Sequence, residues 1–370
     1  MNYQRIVVKL GTNLLTGGSS RLNLEIMSSL VSQIAALHKQ GLQIILVTSG
    51  AIAAGRQCLG PIKERKDIPF KQVLAAVGQS HLMEAYNQLF DWHEIIIAQT
   101  LLTKNDLSDR HGYLNARNTL LALLEHRVIP IVNENDVVAI DEIQEAKFGD
   151  NDSLSAMVAN LADAELLMML TDTEGLYTAD PNKDPAATLI PRVDRLDASI
   201  ESLASSSACD RGTGGMITKI EAAKLATASG VAVVIANGRE NEVIVRLARG
   251  EAIGTYFVPN TSKLESRKRW LLSQPCKGDL SIDAGAVRAL RQQNKSLLPS
   301  GISQVKGKFD RGDIVNIVEY EKGEKVACGI SNYGSSDINI IKGAHSDRIV
   351  ELLGYEYGNE VVHRDNLAVL

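Results

Sequence analysis

Short apolar runs alternate with longer amphipathic segments from the N-terminus to about residue 260. The apolar runs are rich in β-branched residues and predict strands at residues 5–10, 43–48, 95–100, 128–132, 166–171 and 231–236. The segments between them have helical periodicity and predict helices at residues 24–39, 72–89, 115–125, 153–161 and 218–229. Nearly continuous apolar strands need cover on both faces. The pattern therefore predicts an α/β fold with a mostly parallel sheet sandwiched between helices.

The pattern changes after residue 277, where glycines punctuate short strand-like runs such as residues 314–318 and 325–329. This spacing is typical of a second, smaller β-rich domain. We therefore expect a catalytic domain at residues 1–260, a linker at 261–277 and the β-rich domain at 278–370. The linker carries Arg267, Lys268 and Arg269, and we interpret this basic run as a solvated connection.

Composition narrows the functional classes. Charged residues make up 22% of the 370 residues and the net charge is −5, which gives no reason to expect a nucleic-acid partner. The first nine residues run directly into a strand pattern without a signal-peptide h-region, and no apolar run has the length of a membrane span. The four cysteines form no CxxC pair. These features predict a cytoplasmic protein with reduced thiols.

A glycine-rich run at residues 212–219 predicts a phosphate-binding loop. Its glycines expose backbone N–H groups at the start of a helix, and Lys219 follows about one helical turn later. A Walker A loop is excluded because Ile220, not Ser or Thr, follows the lysine. Lys9 ends the first predicted strand beside Gly11, where a phosphate can approach the backbone. Two lysines at one site would stabilise the charge that develops during phosphoryl transfer.

Polar side chains gather where the predicted strands end, which is where ligands bind in parallel sheets. Ser49 and Gly50 offer a hydroxyl and backbone N–H groups at a helix start, which suits a carboxylate. The Asn133–Asp136 segment offers amide and carboxylate oxygens for an ammonium group. Residues 149–152, Gly-Asp-Asn-Asp, open another helix. Turn and capping roles would explain single residues of these kinds, but two acids and an amide in succession favour function.

The segments suggest specific roles for the acidic and amide residues. Asp152 between two lysines would fix the orientation of both ammonium groups, and Asn151 would hold a polar substrate. No GxSxG or HExxH motif is present, and no general base is conspicuous near the phosphate-binding elements. A carboxylate acceptor needs no base because it is already ionised at pH 7. The residues therefore predict ATP-dependent phosphorylation of a small carboxylate.

The same motifs resemble those of the glutamate 5-kinases in the amino acid kinase family, and the resemblance covers almost the whole chain. It is carried by residues 8–12, 47–55, 74–79, 114–117, 133–136, 149–152, 170–172, 175–181 and 212–219. The C-terminal part is similar to a PUA domain at residues 296–302 and 311–313. The resemblance implies transfer of the ATP γ-phosphoryl group to the side-chain carboxylate of L-glutamate, the first step of proline biosynthesis, with Mg²⁺ bridging the phosphates.

The resemblance also implies a role for each matching residue. Lys9 and Lys219 would stabilise the transferring group, with Asp152 organising both. Glutamate would be bound by Ser49, Gly50, Asn133, Asp136, Asp150 and Asn151. The ATP site would be formed by Lys9, Gly11, Thr171, Asp172, Thr213, Gly214, Gly215, Met216, Ile217, Thr218 and Lys219. No residue is assigned as a direct metal ligand.

Further expectations follow from the same resemblance. Proline would inhibit at or beside the glutamate site, the enzyme would be a homo-oligomer, and the labile product would pass to glutamate-5-semialdehyde dehydrogenase. One alternative is another amino acid kinase, such as a uridylate kinase or an aspartokinase. The other is an RNA-binding protein acting through the PUA-like domain. Residues 278–370 hold 11 Lys and Arg against 13 Asp and Glu, which disfavours binding to a phosphate backbone.

Overall fold

The computed structural model describes residues 3–60, 67–139, 151–181, 183–206, 215–260, 262, 271–272 and 275–370. Its internal contacts group into two compact units. The first unit comprises Met1–Ser108 and Asn115–Ser262, and the second comprises Asp109–Leu114 and Lys263–Leu370. The predicted linker at 261–277 lies mostly outside the described residues.

The first unit contains an eight-stranded sheet in the order β3-β4-β2-β1-β5-β7-β8-β6. All its strand pairs are parallel except β7–β8, which confirms the expected mostly parallel sheet. The strands are β1 (Arg5–Leu10), β2 (Gln43–Val47), β3 (Ile97–Leu102), β4 (Ile129–Glu134), β5 (Leu166–Thr171), β6 (Arg192–Val193), β7 (Ala232–Asn237) and β8 (Thr255–Phe257).

Ten helices are described between residues 12 and 248, and the one that begins at Arg110 starts within the Asp109–Leu114 segment of the second unit. They are α1 (Thr12–Thr16), α2 (Leu24–Lys39), α3 (Ala51–Leu59), α4 (Ile68–Asp91), α5 (Lys104–Ser108), α6 (Arg110–Glu125), α7 (Asp152–Leu161), α8 (Ala198–Ser206), α9 (Met216–Ala228) and α10 (Val243–Ala248). The main apolar core joins the sheet to α2, α4 and α10. Helix α7 packs on β1 and β5, and α9 packs on α7 and β7. The helices therefore cover the sheet as its apolar strands require.

Three predicted elements match the structure at both ends, namely β1, β5 and α2. Three other predictions need correction. The strand predicted at 95–100 lies two residues later, and β4 continues through Asn133 and Glu134 because these residues pair with Leu101 and Leu102 of β3. The prolines and the serine run of residues 173–215 predict one long loop, but this segment contains β6 and α8.

Helices α3 and α4 cross backbone to backbone at two glycines. A Cβ atom placed on Gly78 of α4 would lie 1.8 Å from the carbonyl oxygen of Ala51. A Cβ atom placed on Gly55 of α3 would lie 1.9 Å from the carbonyl oxygen of Leu74. Because only glycine lacks this atom, the two helices can approach this closely. The first turn of α3 is therefore held in place by α4.

The second unit has its own sheet and core, which confirms the expected smaller β-rich domain. Its five strands lie in the order β10-β9-β11-β12-β13, with β9 (Gly278–Ile282), β10 (Ile302–Lys306), β11 (Ile314–Glu319), β12 (Lys325–Ile330) and β13 (Leu367–Val369). The described residues of this unit also include the α-helices α11 (Ala284–Gln293), α12 (Ser335–Ile341) and α13 (Ile349–Leu353). Buried apolar side chains from both the strands and the helices form its core.

Candidate active site

The functional side chains gather at the carboxyl edge of four neighbouring parallel strands. In the order β4-β2-β1-β5, these strands end at Glu134, Val47, Leu10 and Thr171. Lys9 alternates with Val8 and Leu10 along β1, and successive side chains on a strand point to opposite faces. Its side chain therefore leaves the core shared with α2 and α4 and lies on the face that α7 covers.

A buried cluster of two lysines and one aspartate occupies this face. The Lys9 Nζ atom lies 2.7 Å from Oδ1 of Asp152, and the Lys219 Nζ atom lies 3.3 Å from Oδ2. Lys9 and Asp152 are 0% exposed and Lys219 is 3% exposed. The Thr218 hydroxyl donates a hydrogen bond of 2.8 Å to the same Oδ2 atom. The structure thus brings together the three residues that the sequence predicted to act on a phosphoryl group.

The charge state of Asp152 follows from this environment. Burial opposes its ionisation, but the ammonium groups of Lys9 and Lys219, with hydrogen bonds from Lys9 and Thr218, hold the pKa of the Asp152 carboxyl below its ordinary value. Among the described residues, this buried cluster of one carboxylate and two ammonium groups carries a net positive charge. Such a cluster attracts an anion more strongly than exposed lysines would.

Helix α9 places Lys219 one turn from its own N-terminus. Gly215 is its N-cap, and no side chain caps its first N–H groups. The N-terminus of this helix of 13 residues therefore presents backbone N–H groups, which its glycine N-cap does not bond, in the turn that precedes Lys219. Met216, Ile217 and Thr218 form the first turn. Thr213 and Gly214 lie outside the described residues, so their predicted part in the loop stays a prediction.

A small polar cavity of about 80 Å³ lies next to the ends of β2 and β4. It is lined by Thr12, Ser49, Gly50, Ala51, Ile52, Ala53, Asn133, Asp136 and Asn151. Gly50 is the N-cap of α3 and has a φ of 97°, a conformation that favours glycine. The first turn of α3 therefore presents backbone N–H groups at the cavity wall. Asp150, the sixth residue predicted to bind the acceptor, lies outside the described residues.

Asn151 and Asn133 are joined by a hydrogen-bonded chain of amides. The Asn151 Nδ2 group donates to the Thr48 carbonyl at 2.6 Å and to Oδ1 of Asn133 at 2.6 Å. Asn151 is the N-cap residue of α7, yet its side chain makes no capping hydrogen bond. The capping interpretation of this residue is therefore wrong. Its amide group instead connects the end of β2 to the end of β4.

The residues predicted to bind the nucleotide lie around the end of β5. The Thr171 hydroxyl donates to Oδ1 of Asp172 at 3.0 Å, and Asn13 Nδ2 lies 3.3 Å from Oδ2 of the same carboxylate. The Gly11 N–H donates to the Leu170 carbonyl at 3.2 Å, which keeps the turn after β1 against β5. These groups border the same strand pair, β1 and β5, that carries Lys9.

Sequence reasoning assigned no role to several residues that support the site. Gln79 of α4 accepts a hydrogen bond of 2.7 Å from Nδ2 of Asn133, and Gln72 of the same helix bonds to the backbone after Asn135. The buried Tyr86 hydroxyl lies 2.8 Å from Oγ1 of Thr48. Gln79 belongs to the run at residues 74–79 that carries the family resemblance, and this run was the one feature of the sequence that could have indicated its role. Within the described ranges, no group of three His, Cys, Asp or Glu side chains could hold a metal ion.

Comparisons with known proteins agree with this arrangement. The model of the amino acid kinase family matches residues 4–237, and the PUA domain model matches residues 278–353. The chain is 56% identical to a protein named glutamate 5-kinase from Dehalococcoides mccartyi strain CBDB1, over 100% of this chain and 99% of that protein. It is 50% identical to the proteins of the same name from Herpetosiphon aurantiacus, over 99% of this chain and 98% of the relative, and Haemophilus influenzae, over 100% of each.

Among solved structures, the UMP kinase of Bacillus anthracis aligns with 70% of this chain and 98% of its own, at 15% identity and a TM-score of 0.47. In the part of the chain that the structure describes, none of the helices is both long and apolar enough to cross a membrane.

Proposed function

The chain belongs to the amino acid kinase family, and from that premise we propose that it transfers the γ-phosphoryl group of ATP to the side-chain carboxylate of L-glutamate. The products are ADP and L-glutamyl 5-phosphate, and the reaction is the first step of proline biosynthesis. The observation that carries this proposal is the buried Lys9–Asp152–Lys219 cluster beside a small polar cavity at the same edge of the sheet. The cluster suits a phosphoryl group, and the cavity suits a small amino acid.

The cluster supplies what this reaction requires. A glutamate side chain with a pKa of about 4.3 is ionised at neutral pH, so the nucleophile needs no general base. The difficulty is the repulsion between an anionic acceptor and the anionic phosphates. Lys9 and Lys219 offset this repulsion and stabilise the charge on the equatorial oxygens of the moving group. Asp152 holds both ammonium groups in position before the substrates bind.

The cavity accounts for recognition of the acceptor. Ser49 and the backbone N–H groups following Gly50 bind the α-carboxylate, as expected at the N-terminus of a helix. Asn133 and Asp136 bind the α-ammonium group. Asn151 has donated both Nδ2 hydrogens to Thr48 and Asn133, so its Oδ1 atom is the side-chain group left to accept a hydrogen bond from that ammonium group. Asp150 is proposed as a further acceptor-binding residue from its position in the motif. A volume of about 80 Å³ favours a small amino acid over a nucleotide.

The nucleotide binds on the β5 side of the cluster. We propose that Gly11, Thr171, Asp172 and the loop at residues 213–219 contact ATP, with the N-terminus of α9 directed at its phosphates. The described residues include no cluster suited to a metal ion. We propose that Mg²⁺ would enter as part of the MgATP substrate and would neutralise charge on its phosphates.

Several wider features are proposed from the family and the size of the acceptor cavity. Residues 1–260 form the kinase domain and residues 278–370 form the PUA domain, joined by a linker at 261–277. The enzyme acts in the cytoplasm as a homo-oligomer. Proline, a smaller relative of the substrate, inhibits at or beside the acceptor cavity. The acyl phosphate is labile, so it passes to glutamate-5-semialdehyde dehydrogenase.

A hydroxamate assay tests the proposed activity because hydroxylamine traps acyl phosphates. The purified protein is incubated with MgATP and, in separate reactions, glutamate, aspartate, N-acetylglutamate or carbamate, and a coupled ADP assay covers UMP. We expect the wild-type protein to form the hydroxamate with glutamate. A Lys219→Met variant should form little of it. Turnover confined to another acceptor would overturn the proposal. RNA binding by the chain, with no kinase activity on any acceptor, would favour the second alternative.

A further inference from the structure

Helix α4 contacts both ends of the segment at residues 133–137, which we call the acceptor loop. At one end, the side-chain oxygen of Gln79 accepts a hydrogen bond of 2.7 Å from Nδ2 of Asn133. At the other end, Nε2 of Gln72 donates to the backbone carbonyls of Asp136 and Val137, at 3.1 Å and 3.0 Å. Asn133 and Asp136 both line the polar cavity, whereas the two glutamines do not. The glutamines therefore contact the groups that line the cavity from outside it.

The spacing of the two glutamines explains how one helix reaches both ends. Gln72 and Gln79 are separated by two helical turns, so they lie on one face of α4 and about 10 Å apart along its axis. Gly78 precedes Gln79 and is the residue at which α4 meets the backbone of α3 at Ala51. Ala51 also lines the cavity. Through these contacts α4 fixes two walls of the cavity relative to each other.

The direction of each amide in the chain is set by the backbone. The Glu134 N–H group can only donate, and it donates to Oδ1 of Asn133 at 3.0 Å. The Thr48 carbonyl can only accept, and it accepts from Nδ2 of Asn151. Because Oδ1 of Asn133 faces the two donors, Glu134 N–H and Asn151 Nδ2, its own Nδ2 group must point the other way. Gln79 provides the acceptor there. Without that acceptor, a buried amide donor would lose its partner and the side chain its preferred orientation.

We infer that Gln72 and Gln79 are positioning residues for the acceptor site, which they shape through the acceptor loop without touching the substrate. Gln79 sets the side-chain orientation of Asn133, and Gln72 sets the backbone path at Asp136. This inference rests on the proposed use of the cavity for the amino acid acceptor. It predicts a specific defect: substitutions at the two glutamines weaken binding of the acceptor and leave the ATP site intact.

The test compares kinetic constants for Gln79→Met, Gln72→Met and Gln79→Glu in the full-length enzyme. Methionine retains the length of glutamine and removes its hydrogen-bonding groups. We expect Gln79→Met to raise KM for glutamate roughly five- to tenfold, the value of one lost hydrogen bond, with kcat and KM for ATP within about twofold of the wild type. Gln72→Met should change KM for glutamate in the same direction. Gln79→Glu keeps an acceptor oxygen for Asn133 and should retain most of the wild-type KM.

The neighbouring Ser80→Ala variant is the matched control, because Ser80 is exposed on the same helix and bonds only within it. A role confined to helix stability would lower the melting temperature without a selective change in KM for glutamate. The inference is overturned if Gln79→Met leaves KM for glutamate within twofold of the wild type. It is also overturned if KM for ATP rises as much as KM for glutamate.

Hydrogen exchange provides a readout that does not depend on the identity of the acceptor. We expect the backbone amides of residues 133–137 to exchange faster in Gln72→Met and Gln79→Met than in the wild type or Ser80→Ala. Unchanged exchange would contradict the positioning role even if glutamate is the substrate. A wild-type enzyme that phosphorylates a different acid would overturn the proposed function instead. The exchange data and KM for that acid would then decide the role of the glutamines.

Discussion

Lys9 and Asp152 form a fully buried ion pair, with 2.7 Å between Nζ and Oδ1, although one residue belongs to the first strand and the other begins α7. Lys219 approaches the other oxygen of the same carboxylate. Asp152 is thus shared by two lysines that lie near opposite ends of the kinase domain in the sequence.

Loss of either lysine should abolish most of the activity. We expect Lys9→Met to lower kcat about 10²- to 10³-fold, the range found when one preorganised electrostatic group is removed from a transition state. The hydroxamate assay at saturating glutamate and ATP measures this loss. Lys224→Met is the matched control because Lys224 lies on α9 beside Lys219 but is exposed and pairs with Glu201. Equal losses in both variants would argue against a specific role for Lys9.

Asp152→Asn should destabilise the protein when no nucleotide is present. The substitution removes the carboxylate that two buried ammonium groups share, and breaking a buried ion pair in this way typically costs about 3–5 kcal/mol. An anionic ligand would replace the missing charge. ATP should therefore raise the melting temperature of Asp152→Asn more than that of the wild type, as a thermal-shift titration can measure.

The control for that experiment is Asp163→Asn, which breaks the ion pair between Arg117 and Asp163 elsewhere in the domain. Asparagine tolerates the positive φ of 53° at this position, so the backbone is not strained. ATP should stabilise Asp163→Asn and the wild type equally. If it stabilises both variants by the same additional amount, the effect at Asp152 is not specific to the nucleotide site.

The stabilising contribution of Asp152 should depend on pH in a defined direction. The neighbouring ammonium groups hold the pKa of its carboxyl below the ordinary value of about 3.9. The folded state therefore favours the ionised form, and the contribution is complete above pH 4. It is lost as the pH falls through the folded-state pKa. Urea unfolding of the wild type and Asp152→Asn should show a difference in free energy that is constant from pH 5 to 8 and shrinks below pH 4.

Asn151→Asp should weaken binding of glutamate. The aspartate cannot donate to the Thr48 carbonyl or to Oδ1 of Asn133, and its charge would face both oxygens. We expect KM for glutamate to rise at least tenfold, since loss of a hydrogen bond and added repulsion both act at the cavity. Asn160→Asp on the same helix is the control. A rise in KM for ATP of similar size would contradict a specific role for Asn151 at the acceptor cavity.

Gly78→Ala should disturb stability and the acceptor site together. The added Cβ would overlap the Ala51 carbonyl oxygen and force α3 away from α4. Overpacking of this kind typically costs about 1–3 kcal/mol. Because the first turn of α3 lines the cavity, KM for glutamate should rise as well. Ala76→Ser, at an exposed position on α4, should change neither quantity.

The sequence predicted the regular parts of the fold well and its irregular parts poorly. β1 and β5 are predominantly apolar and, apart from Arg5, buried on both faces, so the hydrophobic pattern predicted their ends. β6 has two residues and carries no periodic signal. The last residues of β4 are polar, and only their pairing with β3 makes them part of the strand. Such pairing is a tertiary effect that local patterns do not contain.

The same distinction applies to the site. Lys9, Asp152 and Lys219 were predicted because each lies at a strand end or a helix start, where a chemical role is expected. Their assembly into one cluster was expected from their complementary charges, but it depends on a strand order that the residues alone did not predict. Gln72 and Gln79 carry no comparable signal, since glutamine within a helix is ordinarily a solvent-exposed residue. Their importance lies in long-range contacts with the acceptor loop.

The central position of β1 in the sheet has a consequence for biosynthesis of the protein. β1 pairs with β2 on one side and with β5 on the other. During translation, the edge of β1 that pairs with β5 remains unpaired until the chain through Thr171 has emerged from the ribosome. Lys9 and Lys219 can come together only later, after residue 219 has emerged. Chaperone dependence of the nascent chain should therefore be greatest before β5 emerges, because an unpaired apolar edge promotes aggregation.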